Sequence, residues 1–332
     1  MLNLKTTKSD WRAALADLIT DPLELLSLLE LDLDLLPAAK EAAKAFPLKV
    51  PRGFLDRIEK GNINDPLLKQ ILPLGAELQV VSGYNEDPLA EKEANPIPGL
   101  LHKYRSRALV TLTSACAVHC RYCFRRHFPY ADNNPGTRGW DKIISYIAEH
   151  SEINEIILSG GDPLAVSDKL LHAFIDKIQT VPHIRRLRIH TRLPIVMPER
   201  MTQALVETLS IFRGQVIVVV HANHPQEINT VVKEGLNRLR ESGIHLLNQA
   251  VLLKGVNDDA IILSELSEVL FDAGVLPYYL HVLDKVQGAA HFDLPLETAK
   301  ELHAELLTML PGYLVPRLAC EEPGKASKSW VV

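Results

Sequence analysis

Two kinds of apolar spacing divide the chain. Over residues 23–36 leucines recur among acidic residues, and residues 38–46 continue with strong helix formers until Pro47 and Pro51 intervene, so this stretch predicts two or three helices. Pro88, Pro96 and Pro98, set among Asn, Asp and Glu, predict an irregular stretch before Leu100. Residues 1 to about 100 are expected to form a helical cap. Beyond Ala108 the spacing changes. Short β-branched runs at residues 109–113, 155–158, 187–190, 216–220, 245–253 and 278–283 return about every thirty residues. Between them lie amphipathic segments at 168–179, 199–209, 227–241, 258–273 and 296–310. Strand then helix, repeated, is the pattern of βα units and a parallel sheet. With residues 313–318 as a further strand, the expectation is an α/β fold, a partial (β/α)6-type barrel over 101–318, followed by a C-terminal segment, 319–332. Ligands of such a barrel gather at the C-terminal ends of its strands.

Composition narrows the class. Of 332 residues, 47% are hydrophobic and 23% charged, which excludes disordered and fibrous chains. Thirty-six basic residues face 41 acidic ones, a formal charge of −5. No chain-wide positive field is therefore available for nucleic acid or an anionic membrane, and phosphate binding has to be local. The first eleven residues lack an apolar core of signal length, and the densest apolar run, 216–220, is too short to cross a bilayer. A cytoplasmic protein is expected. Three of the four cysteines fall within eight residues, and in a reducing compartment that clustering predicts a metal or redox site, not a disulfide framework.

The cluster is Cys116, Cys120 and Cys123, a C-x3-C-x2-C spacing directly after the first barrel strand. Three thiolates on one short loop can hold three irons of a [4Fe–4S] cluster and leave the fourth open. A structural zinc with His119 or His127 as fourth ligand is the alternative, although zinc ligands more often come as two separated pairs. Ser159-Gly160-Gly161-Asp162-Pro163 follows the second strand. Glycines there let backbone approach a ligand closely, although the same residues would serve an ordinary turn.

This cysteine spacing, at the end of the first strand of a βα series, resembles the radical S-adenosylmethionine enzymes. The resemblance narrows through His102-Lys103-Tyr104 to Arg107, Cys123-Phe124-Arg125-Arg126, His221-Ala222-Asn223-His224-Pro225, Asn248-Gln249, Gly255-Val256-Asn257-Asp258 and Asp284 through Gly288 to His291-Phe292. In order and spacing these are similar to lysine 2,3-aminomutases. Residues 50–54 and 280–288 are most similar to the short bacterial branch that makes (R)-β-lysine for modifying elongation factor P.

The resemblance implies three cofactors: a [4Fe–4S] cluster on the three cysteines, S-adenosylmethionine on its open iron, and pyridoxal phosphate. It implies an isomerase in which an adenosyl radical abstracts hydrogen from C3 of lysine and the α-nitrogen migrates. It also implies a one-electron reductant, and a separate lysyl ligase that passes β-lysine to the elongation factor; no nucleic acid or membrane partner is implied. By register Lys328, closing Pro323-Gly324-Lys325-Ala326-Ser327-Lys328, is the Schiff-base lysine, with Lys325 its rival in the same segment. Lys103, Tyr104 and Arg107 correspond to pyridoxal phosphate contacts, and Ser159, Gly160, Gly161, Asp162, His221 and Gln249 to S-adenosylmethionine contacts. Arg125 corresponds to the clamp on the substrate carboxylate, a role that suits a guanidinium fork. Asp284 and Glu321 correspond to a pair of acids on the distal ammonium.

The chain departs from the family pattern at His281, where an aromatic is usual, at Glu321 for aspartate, and at Asp293 for arginine. Cys320 alone cannot build the structural zinc site of the longer clostridial-type members. The competing expectations are a radical S-adenosylmethionine enzyme without pyridoxal phosphate and a zinc-stabilised interaction module.

Overall fold

A computed structural model describes residues 10–331; the first nine residues of the expected cap and Val332 lie outside the described residues. One nine-stranded sheet runs in chain order: β1 Leu100–Tyr104, β2 Arg107–Thr111, β3 Glu155–Ser159, β4 Arg186–Thr191, β5 Gln215–Val220, β6 His245–Val251, β7 Leu276–His281, β8 Arg317–Cys320 and β9 Ser329–Trp330. Strands β2 to β8 are parallel. The first and last strands add antiparallel edges. Crossover helices Gly136–Glu149, Asp168–Ile178, Gln203–Ser210, Thr230–Glu241, Ala260–Asp272 and Leu296–Met309 complete six βα units, as expected for an open α/β barrel.

Period-2 alternation explains why this sheet curls around a lumen. Ala108 and Val110, Ile156 and Leu158, Leu187 and Ile189, and Val218 and Val220 are buried in the core shared with the helices. Their neighbours Arg107, Leu109, Glu155, Ile157, Arg188, His190, Ile217 and His221 line an interior cavity. Successive residues of a strand point to opposite faces, so one set drives the packing and the other is left for chemistry. Helix starts are fixed locally: Ser167, Thr202, Asn229 and Asp259 each accept a backbone N–H from the first turn that follows.

Three elements differ from expectation. Helix Gly136–Glu149 has no counterpart in the periodicity because glycines at 136 and 139 weaken its propensity; burial of Trp140, Ile143 and Ile147 on one face holds it. The last parallel strand is Arg317–Cys320, not 313–318, because Gly312–Leu314 forms a 3-10 turn. Strand β8 thus crosses the expected boundary at 318, and the C-terminal segment re-enters the sheet as β9.

The cap is helical as predicted, with Trp11–Ala16, Pro22–Leu28 and Leu36–Ala45 its longest helices. Leu25, Leu26, Phe54, Leu67 and Leu68 pack into the barrel's own core. The irregular stretch after it is pinned at both ends, by Asn85 against Lys285 and Gln287, and by the Ala94 carbonyl, which accepts from the His102 N–H. Among the described residues no helix is long and apolar enough to cross a membrane.

Candidate active site

A cavity of about 820 Å³ occupies the lumen, and its walls carry all three clustered cysteines together with Arg125, Asp284, Glu321 and Lys328. The cysteine loop lies directly on the glycine turn that follows β3. Gly161 N donates to Thr113 O (3.0 Å) and Asp162 N to Ala115 O (2.8 Å). A Cβ at Gly161 would sit 2.6 Å from Ala115 O, and Gly160 holds φ +106°, so both positions require glycine. Asp162 is itself structural: its carboxylate accepts from Leu164 N, Thr191 Oγ1, Arg192 N and Leu193 N. It therefore joins the glycine turn to the end of β4 and has no lone pair obviously free for a ligand. Tyr130 Oη donates to Gly160 O (2.6 Å) from the other side.

None of the thiols is in a disulfide. Burial pushes the Cys116 thiol up, and that of Cys123 up to about 11, so forming the thiolates is coupled to binding a metal. Three free thiols on one short loop, all lining one cavity, are the soft donor set that a [4Fe–4S] cluster with one open iron takes. His119 Nδ1 faces the Pro47 carbonyl and His127 Nε2 the Gln287 carbonyl.

Behind the loop, Glu77 of the cap accepts from Arg121 Nε (2.8 Å) and Nη2 (2.6 Å) and from Arg126 Nη2 (2.7 Å). All three side chains are buried. Arg192 Nη1 reaches Cys120 Sγ (2.7 Å), while its Nη2 reaches Glu227 (3.0 Å).

From Arg125, two residues past Cys123, a row of alternating charges runs along the cavity lining. Arg125 gives Nε and Nη2 to Glu91, each at 2.7 Å, and Nη1 to Ser159 Oγ (3.0 Å). Lys103 Nζ stands 3.5 Å from Glu91 and 3.0 Å from Glu321. Lys328 Nζ closes the row on Glu321 at 2.7 Å. Burial works against the charge on Glu321, yet Lys328 and Lys103 hold it down to about 2. Asp284 faces the same cations without a hydrogen bond or ion pair of its own among the described residues, and burial pushes it up to about 7.

His221 and Gln249 meet at 2.9 Å through their Nε2 atoms. Burial takes His221 and His281 down to about 3, so both are neutral. Arg107 stacks on the Tyr104 ring at 4.1 Å, and burial beside Glu321 keeps the Tyr104 phenol protonated.

The lumen thus gathers every site residue the sequence singled out, in three cases with a different partner. Lys103 is engaged by Glu91 and Glu321, Glu321 already holds two ammonium groups, and Asp162 is taken by backbone. Lys328 lines the cavity; Lys325 is exposed and outside its wall. Tyr279 supplies an aromatic beside His281, ring to ring at 5.2 Å and 5.8 Å from Lys328 Nζ. Glu77, Glu91, Tyr130, Arg188, His190, Arg192 and Tyr279 went unnoticed in the sequence. Only β4 carried a signal, since Arg186-Leu187-Arg188-Ile189-His190 alternates polar and apolar. Arg188 Nε and His190 Nε2 are buried there without a partner, and with Lys103, Tyr104, Arg107 and Lys328 they fit a phosphate-bearing aldehyde cofactor better than they fit one another.

Residues 110–264 match the model of the Radical SAM superfamily. The L-lysine 2,3-aminomutase of Escherichia coli K12 is 51% identical over 324 residues, spanning 97% of this chain and 94% of that one. That of Haemophilus influenzae is 48% identical over 97% of this chain and 95% of its own length. The Clostridium subterminale enzyme of the same name is 34% identical over 98% of this chain and 78% of that one. At this identity and coverage the chain belongs to the lysine 2,3-aminomutase family of radical S-adenosylmethionine isomerases, whose cofactors are a [4Fe–4S] cluster, S-adenosylmethionine and pyridoxal phosphate.

Proposed function

We propose that this protein converts L-α-lysine to (R)-β-lysine by radical 1,2-amino migration, and that the product serves the modification of elongation factor P in the cytosol. The observation that carries the reading is one lumen whose lining holds three thiols together with Lys328, Glu321 and an unpartnered Asp284 carboxylate. When bound, the cluster and S-adenosylmethionine supply the hydrogen-abstracting radical, and pyridoxal phosphate supplies the group on which the nitrogen migrates.

The chain's own residues bind and orient. Cys116, Cys120 and Cys123 hold three irons, and Ser159, Gly160, Gly161, His221 and Gln249 form the floor for S-adenosylmethionine, with Asp162 fixing the turn that carries them. Lys328 would hold pyridoxal phosphate, and Tyr104 and Arg107, with Lys103 beside them, would take its phosphate. Arg125 takes the lysine carboxylate. Asp284 takes the distal ammonium, and Glu321 is the second acid at that end. A guanidinium for the carboxylate and a carboxylate for the distal ammonium would fix the substrate along its length and leave little room for water.

For the link to elongation factor P, the support is the likeness of residues 50–54 and 280–288 to the short bacterial branch. An external one-electron donor is required.

Anaerobic incubation with lysine, S-adenosylmethionine and a reductant should yield β-lysine of R configuration by chiral chromatography. Reductive cleavage of S-adenosylmethionine without β-lysine would favour the enzyme lacking pyridoxal phosphate.

A further inference from the structure

The irregular stretch between cap and barrel sends one side chain into the site. Glu91 is 4% exposed, and both its oxygens accept from Arg125. Its backbone is set with care. Ala90 just before it takes φ +49°, a left-handed conformation that residues with a Cβ avoid. Glu91 N donates to Asp87 Oδ1 (2.9 Å), and the stretch is tied to the loop after β7 and to β1 by the Asn85 and Ala94 hydrogen bonds. A strained residue held between two anchors persists only where the surroundings over-determine it.

A guanidinium carries five N–H donors. Glu91 takes one on Nε and one on Nη2, and Ser159 takes one on Nη1. Two remain, one on each terminal nitrogen, and a carboxylate can accept from both. Glu91 also stands between Arg125 and Lys103, whose Nζ is 3.5 Å from its Oε1, and so engages, together with Glu321, a neighbouring cation that would compete for the same carboxylate.

We propose that Glu91 is a positioning residue for the substrate carboxylate: it grips Arg125 through Nε and Nη2, leaves the two remaining donors to the amino acid, and helps keep Lys103 out of that role. The inference rests on the reading of Arg125 as the carboxylate clamp.

The test uses the reconstituted holoenzyme, with Glu91→Gln and Glu91→Ala compared with Arg125→Ala. Glu91→Ala should raise the KM for lysine by about 10- to 100-fold with kcat changed by less than about threefold. Glu91→Gln, which keeps one acceptor oxygen, should raise it less, and it serves if the alanine variant does not fold. Pentane-1,5-diamine, a competitor with both amines and no carboxylate, should keep its inhibition constant in both variants. In an Arg125→Ala background, Glu91→Ala should add less than about twofold, since the two act as one unit.

Unchanged lysine KM in both Glu91 variants, or equal weakening of lysine and the diamine, would overturn the proposal as a merely structural effect. If Arg125→Ala itself left lysine KM unchanged, the carboxylate-clamp reading would fall, and this inference with it.

Discussion

The two ends of the lumen are built by different means. At the cysteine end the ligands lie within eight residues of one another, and the turn beneath them is set by Gly160 and Gly161 through backbone hydrogen bonds. At the lysine end Lys103, Asp284, Glu321 and Lys328 come from β1, the loop after β7, the residue just after β8 and the residue just before β9. The first is local geometry and tolerates little change of residue type. The second is an ion network closed over more than two hundred residues of chain, where each charge depends on the others. Bringing the three thiols together is therefore a short-range property of this protein, and assembling the ion network a long-range one.

The largest effects should come from breaking the attachment points. Cys120→Ala should abolish bound iron and activity together while leaving the fold, because three thiolates are needed to leave one defined open iron; iron analysis and circular dichroism read this directly. A variant with full iron and sulfide that still cleaved S-adenosylmethionine reductively would sink the cluster assignment. At the other end, borohydride reduction should fix a pyridoxyl group on Lys328, located by peptide mass spectrometry, and Lys328→Ala should lose both the adduct and β-lysine formation. An adduct on Lys325 would mean that the surface lysine, not the lumen lysine, is the attachment point.

A smaller and more selective effect belongs to Asp284. Asp284→Asn keeps the shape but leaves a desolvated ammonium short of a charged partner, a loss of about 2 to 4 kcal/mol, or about 30- to 1,000-fold in kcat/KM for lysine. Uncoupled S-adenosylmethionine cleavage should survive, since it depends on the cysteine end. Equal loss of both activities would show that the two ends are not separable.

The smallest effect is in the pH profile. Burial raises Asp284 to about 7, so the folded protein without substrate favours its protonated form, and the stability this confers is lost as pH rises through about 7. An ammonium ligand needs the ionised form, so lysine affinity should rise with pH by up to about tenfold per unit below 7 and level off above it. Asp284→Asn should flatten that profile between pH 6 and 8. A profile unchanged by the substitution would place the titration elsewhere.

Much of the site's membership was legible in the sequence, and much of its wiring was not. The cysteine triplet and Gly160-Gly161 are recognisable because chemistry at those points demands one residue type at one spacing, whereas Lys328 is reached only through the register of the family resemblance, with Lys325 its rival. Glu91 was not, since it sits in a Pro- and Asn-rich stretch where a glutamate is ordinarily a solvated charge. The same holds for Glu77, whose burial depends on two arginines some forty-five residues away. Tyr279 escaped because an aromatic on a half-buried strand is common, and only the curl of the sheet turns it toward Lys328.

By itself the sequence determined the βα rhythm, the helical cap, the cysteine loop and the glycine turn, because hydrophobic period and backbone stereochemistry act between near neighbours. Tertiary structure alone decided which charges meet: that Arg125 is gripped by Glu91, that Glu321 holds Lys103 and Lys328, and that Asp284 is left with a raised pKa and no partner. The physical reason is that desolvation and Coulomb interaction depend on distances in space, and a strand order that closes seven parallel strands around a lumen sets those distances.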